Sequence, residues 1–238
     1  MNWTPVIAVL YVVATVILLC PVYDQLVPIE ETGDMTEYTM DDQVHHYSVE
    51  IPEPGTTYPL TRCGYLVDAY RFTEPDEHIQ DLVDDMILQT GYSGWELVEY
   101  MRDMVHAHIQ YVSDSEAHGK REYWQLPCET LYYGTGDCED QAFLFVSMCR
   151  AAGFDCILVS EKKHMSAAVD VEGEGNRISY EGKSYLVADP VSSRDIGYND
   201  PDVKYLYGLS FGREQIVFFL LEAFLFAFMN LMVIRAFI

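Results

Sequence analysis

Gly134-Thr-Gly-Asp-Cys-Glu-Asp140, followed at once by the apolar run Gln141 to Ala152, is the stretch that decides the fold of this chain. The two glycines mark a turn, Asp137 suits a helix N-cap, and Asp140 falls at the third helical position in a capping-box-like arrangement. Cys138 therefore opens a helix. At that place unpaired N–H groups and the positive end of the macrodipole favour a thiolate over a thiol. The sequence thus predicts a nucleophilic sulfur titrating well below the ~8.5 of a free cysteine. Ala142, Phe145, Val146, Cys149 and Ala152 form the buried stripe of this helix, and Gly153 stops it.

Working outward, Phe154 to Ser160, His164 to Val171 and Arg177 to Ala188 read as strands, the last split near Glu181-Gly-Lys, with a turn at Gly173 to Asn176. Upstream, Pro75 opens a helical pattern through Thr90 (Ile79, Leu82, Val83, Met86, Ile87), and Gly91 and Gly94 punctuate it. A second helix runs from Trp95 to about Tyr111, and Ser113 to Tyr133 is loop-like. Helices first and an antiparallel sheet afterwards is an α+β arrangement.

Amide cleavage needs a nucleophile, a base that takes its proton and returns it to the leaving amine, and a group that fixes the imidazole. Cys138 at a helix start, His164 beginning one strand and Asp189 ending the next fit these roles. Taken singly, His164 after Glu161-Lys-Lys also suits a solvated loop, and Asp189 before Pro190 also suits a turn. The backbone N–H of Cys138 is a natural first oxyanion donor, and Trp124 or Gln125 could supply the second.

The run from Tyr123 to Gly153, Trp-x-x-Pro-x-Glu-Thr-Leu-x-x-Gly-x-Gly-Asp-Cys-Glu-Asp-x-Ala, resembles the transglutaminase-like cysteine peptidase and hydrolase superfamily, in its bacterial and archaeal branch. The resemblance continues through His164-Met-Ser-Ala-Ala-Val and Tyr185-Leu-Val-Ala-Asp189-Pro. It implies a papain-like fold and a Cys-His-Asp triad on Cys138, His164 and Asp189, with no required cofactor. It also implies either hydrolysis of peptide or isopeptide bonds through an acyl-thioester, or transfer of a glutamine acyl group to an amine; the absence of accessory β-domains favours hydrolysis. Periplasmic members bind calcium through carboxylates flanking the nucleophile, which by analogy makes Asp137, Glu139 and Asp140 candidate ligands. The alternative is that these acids simply complement the helix N-terminus. His45-His46 and His106-x-His108 lack a helical spacing that would place both rings on one metal.

The chain has 238 residues, room for one soluble domain between two apolar ends. Val6 to Val22 and Ile216 to Ile238 read as membrane helices; at ~1.5 Å per residue the second is about 34 Å long, enough for a ~30 Å hydrocarbon core. No Lys or Arg precedes Arg62, which argues against a cleaved signal peptide for the first. Gln215, Glu222 and Asn230 share one face of the second, suited to packing on the first helix or on a second copy of the chain, or to an in-plane helix. The expected organisation is an anchor at 1–23, an acidic stalk with edge strands such as Gln43 to Ile51 at 24–74, a catalytic domain at 75–214, and a membrane helix at 215–238.

The formal charge of −24 lies between the apolar ends, and Asp24 to Glu53 holds nine acids without a Lys or Arg. Nucleic acid and anionic membrane surfaces are poor partners for this domain; cations, basic peptide or protein substrates, or a high-salt milieu suit such a surface. A strict count of flanking positive charge places the domain in the cytoplasm, whereas the resemblance favours an extracytoplasmic one. Six cysteines do not form a disulfide framework, although Cys63 with Cys128 could close in an oxidising compartment. Besides hydrolysis, amine transfer and an inert membrane-tethered binding or assembly module are the readings the sequence leaves.

Overall fold

The computed structural model describes residues 33–54, 69, 72–199, 201–208, 224, 225, 227, 228, 231 and 232. The anchor expected at 1–23, most of the helix expected at 215–238, and Cys63 lie outside the described residues. Among the described residues no helix is long and apolar enough to cross a membrane. All elements named below belong to one of the two compact units of the chain, Glu30–Thr56 with Arg62–Ser210.

A hairpin of β1 (Met35–Asp41) and β2 (His46–Pro52) comes first, in a register that sets Tyr38 opposite Val49. The stalk expected here is thus partly a folded ribbon. Its alternation buries Tyr47, Val49 and Ile51 on one face, which packs on α1 (Glu77–Thr90) and α4 (Pro127–Tyr133). Asp76 caps α1 by accepting the Ile79 N–H at 2.9 Å. α2 (Gly94–His108) follows, and its chain then turns into β3 (Gln110–Tyr111), which pairs in parallel with β4 (Thr135–Gly136). The second helix therefore ends three residues before the expected Tyr111.

The segment read as loop from Ser113 to Tyr133 contains a single turn, α3 (Asp114–Ala117), and α4. Pro127 opens α4, and Glu129 Oε2 accepts the Leu126 N–H at 2.8 Å, so both helix-start signals were present in the sequence. α5 (Cys138–Ala151) is the central helix. Every residue from Gln141 to Cys149 is buried, not only the expected stripe, because α1, α2 and α4 cover the side turned away from the sheet. Trp124 stacks edge-on against Phe72 and Phe143, with ring centroids 5.5 and 4.9 Å away.

The sheet is antiparallel throughout, in the order β7 (Arg177–Tyr180), β8 (Lys183–Ala188), β6 (Met165–Val169), β5 (Cys156–Ser160), β9 (Tyr205–Gly208). The split near Glu181-Gly-Lys is a two-residue hairpin loop, with φ of 46° at Glu181 and 82° at Gly182. β9 was not foreseen. The result is a mixed helix-and-sheet fold with its helices ahead of its sheet, as the sequence implied.

Candidate active site

The Gly-Asp-Cys-Glu-Asp turn delivers Cys138 to the first position of α5, with Asp140 Oδ2 accepting the Asp137 N–H at 3.2 Å. α5 packs along β6, and the backbone N–H of Met165, the first residue of β6, favours the charged form of Cys138 Sγ against the larger opposing effects of burial and Glu139. The residue before Met165 is His164. A tight turn, closed by Glu161 N–H to His164 O at 2.8 Å, starts β6 at this point.

Ala167 pairs with Ala188 across β6 and β8, so the next positions outward bring Asp189 opposite Ser166. His164 and Ser166 share a face, being two apart, and Asp189 reaches that face too. His164 Nε2 lies 2.8 Å from Asp189 Oδ2. This bond holds the imidazole above its ordinary titration range, because the carboxylate favours the charged ring, with Glu161 and Glu139 adding to it. With Nε2 engaged, Nδ1 is the ring nitrogen left for the sulfur.

The sulfur itself departs from expectation. Cys138 is 8 % exposed, and its thiol donates to Glu139 Oε2 at 3.1 Å. Burial first, then the Glu139 carboxylate by charge and hydrogen bond, pushes the thiol far up rather than down. The positive end of α5 is opposed by desolvation and by the neighbouring acids, which favour the thiol over the thiolate.

Those acids form a nest. Asp137 is pushed up to about 8, by burial and by donating its own proton to Glu139. Asp140, fully buried, accepts the Gln125 N–H at 2.8 Å and is driven well above the carboxylate range by burial. Asp114 accepts the Tyr123 N–H and is raised to about 6, again mainly by burial. Three overlapping groups, Asp137–Cys138–Glu139, Asp114–Asp137–Asp140 and Asp114–Glu122–Glu139, each hold their candidate ligand atoms within 4.8 Å of one another. Asp114 and Glu122 were missed by sequence reasoning, because only the fold brings the Ser113–Tyr123 segment to the start of α5. Asp137 Oδ1 is buried without a partner among the described residues, and the second and third groups offer carboxylate oxygens alone, a donor set that fits a hard cation.

Of the two residues considered for the second oxyanion donor, Trp124 is a core plug between Phe72 and Phe143, and Gln125 spends its backbone N–H on Asp140. The Gln125 side chain, 1 % exposed, meets His118 Nε2 at 3.0 Å. The paired histidines are occupied elsewhere. His45 and His46 meet Asp42 and Asp41, while His106 Nδ1 and His108 Nε2 meet the carbonyls of Pro190 and Asp41. The Cys128 thiol donates to Asp76.

Residues 81–189, from within α1 to the carboxylate beside His164, match the family model described as the transglutaminase-like superfamily. They form a transglutaminase-like domain. Among solved structures the chain is similar to "a Putative Cysteine Protease from Cytophaga hutchinsonii", 15 % identical with a TM-score of 0.35, covering 69 % of this chain and 62 % of that one. Another is "a putative protease from Parabacteroides distasonis ATCC 8503", 13 % identical with a TM-score of 0.35, covering 69 % of this chain and 40 % of that one. The chain thus spans under two thirds of the length of either. No curated protein matches it.

The acid nest gives the transglutaminase-like domain a pH-dependent stability with a defined sign. Asp114, Asp137 and Asp140 keep protons in the folded state that they release near pH ~4 when unfolded. Stability is therefore lost as pH rises from about 4 through the raised folded values. In thermal melts the midpoint is expected to fall by roughly 5–10 °C between pH 5 and pH 8, a span typical of a small-domain change of this kind. A midpoint that climbs over that interval would contradict it.

Proposed function

We propose that this chain is a thiol hydrolase that cleaves peptide or isopeptide bonds through Cys138, His164 and Asp189. The observation that carries the reading is the 2.8 Å bond from His164 Nε2 to Asp189 Oδ2, at the start of the strand along which the Cys138 helix packs. Nδ1 of His164 takes the Sγ proton as sulfur attacks the substrate carbonyl carbon. The Cys138 N–H, unpaired in the first turn of α5, donates to the oxyanion. The imidazolium returns the proton to the leaving amine, leaving an acyl-thioester. Water, deprotonated by the same ring, then releases the acid and restores the thiol.

Asp137, Glu139 and Asp140, with Asp114 and Glu122, would hold a hard divalent cation such as calcium, which supplies positive charge against the carboxylates that keep Sγ protonated. The acidic wall beside Sγ favours basic protein or peptide substrates. The apolar segments at 1–23 and 215–238 support a tether to a membrane, and the family resemblance favours the extracytoplasmic side for the domain.

Alkylation by iodoacetamide with an intact-mass readout tests the assignment. At alkaline pH the Cys138 adduct is expected to form faster than those of Cys128, Cys149 and Cys156, which are more deeply buried, and to vanish in Cys138→Ala. Equal labelling of several thiols, unaltered by Cys138→Ala, sinks the hydrolase. A labelled primary amine offered with a glutamine-rich protein should not be incorporated; incorporation would make the enzyme a transferase.

A further inference from the structure

We infer that Asn199 is a positioning residue of the site: its amide fixes the carboxylate that in turn fixes the imidazole. The inference rests on the triad reading above and adds a member that the sequence did not suggest. Asn199 Nδ2 donates to Asp189 Oδ2 at 3.0 Å, the same oxygen that takes His164 Nε2. The other carboxylate oxygen, Oδ1, accepts the Val191 N–H at 3.0 Å. A carboxylate on its own turns about χ2 in a broad, shallow well, so one bond to an imidazole leaves its plane undefined. Donors on both oxygens define it.

The amide is itself held from two sides. Asn199 Oδ1 accepts from Ser192 Oγ at 3.2 Å, which leaves the NH2 end to face Asp189. The Asn199 carbonyl accepts from Asn176 Nδ2 at 2.7 Å. Gly197, two residues earlier, donates to Val187 O at 2.8 Å and accepts from Asn176 N at 2.7 Å. Its φ is +80°, and a Cβ there would stand 2.6 Å from Glu174 O. Only glycine permits so close an approach. β8 thus aligns both the carboxylate at its own end and the loop that returns the amide to it. α2 anchors the intervening residues, with Arg102 Nη1 on Ser192 O at 3.4 Å and His106 Nδ1 on Pro190 O at 3.1 Å.

A misplacement of about 1 Å in such a support can cost on the order of a hundredfold in rate. Asn199→Ala, tested in the full chain, is accordingly expected to slow Cys138 alkylation about thirtyfold without a large change in melting temperature. The decisive readout is imidazole NMR. In the unsubstituted protein His164 should show a protected Nε2–H and a raised titration midpoint. In Asn199→Ala that proton should exchange rapidly and the midpoint should fall, which a merely structural role would not produce. Ser192→Ala, which only frees the amide to turn, should lose about threefold and guards against a misfolded first variant.

If unsubstituted protein shows no Cys138-selective labelling, the triad reading fails. If labelling is selective and both variants keep its rate and the His164 signals, the inference about Asn199 alone is overturned.

Discussion

His164→Ala is expected to slow both Cys138 alkylation near neutral pH and peptide hydrolysis by about a thousandfold, within the 10²–10⁴ usual for a removed general base. The size follows from the resting state of the sulfur. A cysteine already ionised keeps much of its reactivity without a base. Here burial and Glu139 favour the thiol, so attack relies on an imidazole ready to accept the proton. The same variant should leave the fold standing, since His164 is at a strand end and about a third exposed. The pH dependence has a fixed sign. The ring must be neutral to act as base, and Asp189 raises its midpoint above the ordinary ~6.5. Activity should therefore climb through a limb lying above that value, and Asp189→Asn should move the limb down while lowering the plateau. A loss of less than tenfold in His164→Ala would show that the sulfur does not rely on this ring.

Glu139→Gln is expected to act in the opposite direction on the thiol. Glu139 raises Cys138 both as a charge and as the acceptor of its hydrogen bond. Amide replacement removes the charge and keeps the side-chain shape. Each unit by which the thiol falls is a tenfold gain in thiolate below its midpoint, equivalent to about 1.4 kcal/mol. Alkylation of Cys138 at pH 7 in the presence of a chelator should rise at least tenfold, and the midpoint of its pH titration should fall. Asp137 should lose its elevated value of about 8 together with the carboxylate that takes its proton. An unchanged thiol titration in Glu139→Gln would show that burial alone keeps the sulfur protonated. The unsubstituted protein should show a smaller gain when millimolar calcium is added.

The sequence carried the parts of this fold that rest on local pattern. The periodicity around Ile79 to Met86 places α1, and Asp137 with Asp140 marks the start of α5 to the residue. His164 and Asp189 were legible as the ends of two successive strands, and β6–β8 register does bring them to one face. What could not be read depends on the environment that folding creates. The helix terminus at Cys138 predicts a lowered thiol, and only the surrounding structure reveals the desolvation and acids that outweigh it. α4 was hidden because Tyr123, Trp124 and Leu126 are buried nearly in succession with no helical or strand period, although Pro127 and Glu129 signal its start. Asp114 and Glu122 join the nest through the fold alone. Asn199 sits in a stretch rich in Asn, Asp and Pro that reads as an ordinary turn, and β9 is four half-exposed residues without alternation.

The order of the groups along the chain matters during synthesis. A nascent polypeptide that has emerged only as far as Asp189 already bears sulfur, imidazole and carboxylate. It lacks the loop through Asn199 that steadies the carboxylate, and it lacks β9, which borders β5. Domains acquire structure as units while the ribosome extends them. Under the proposed hydrolase reading, the site is therefore complete only once the last stretch of the domain, near residue 208, has been made.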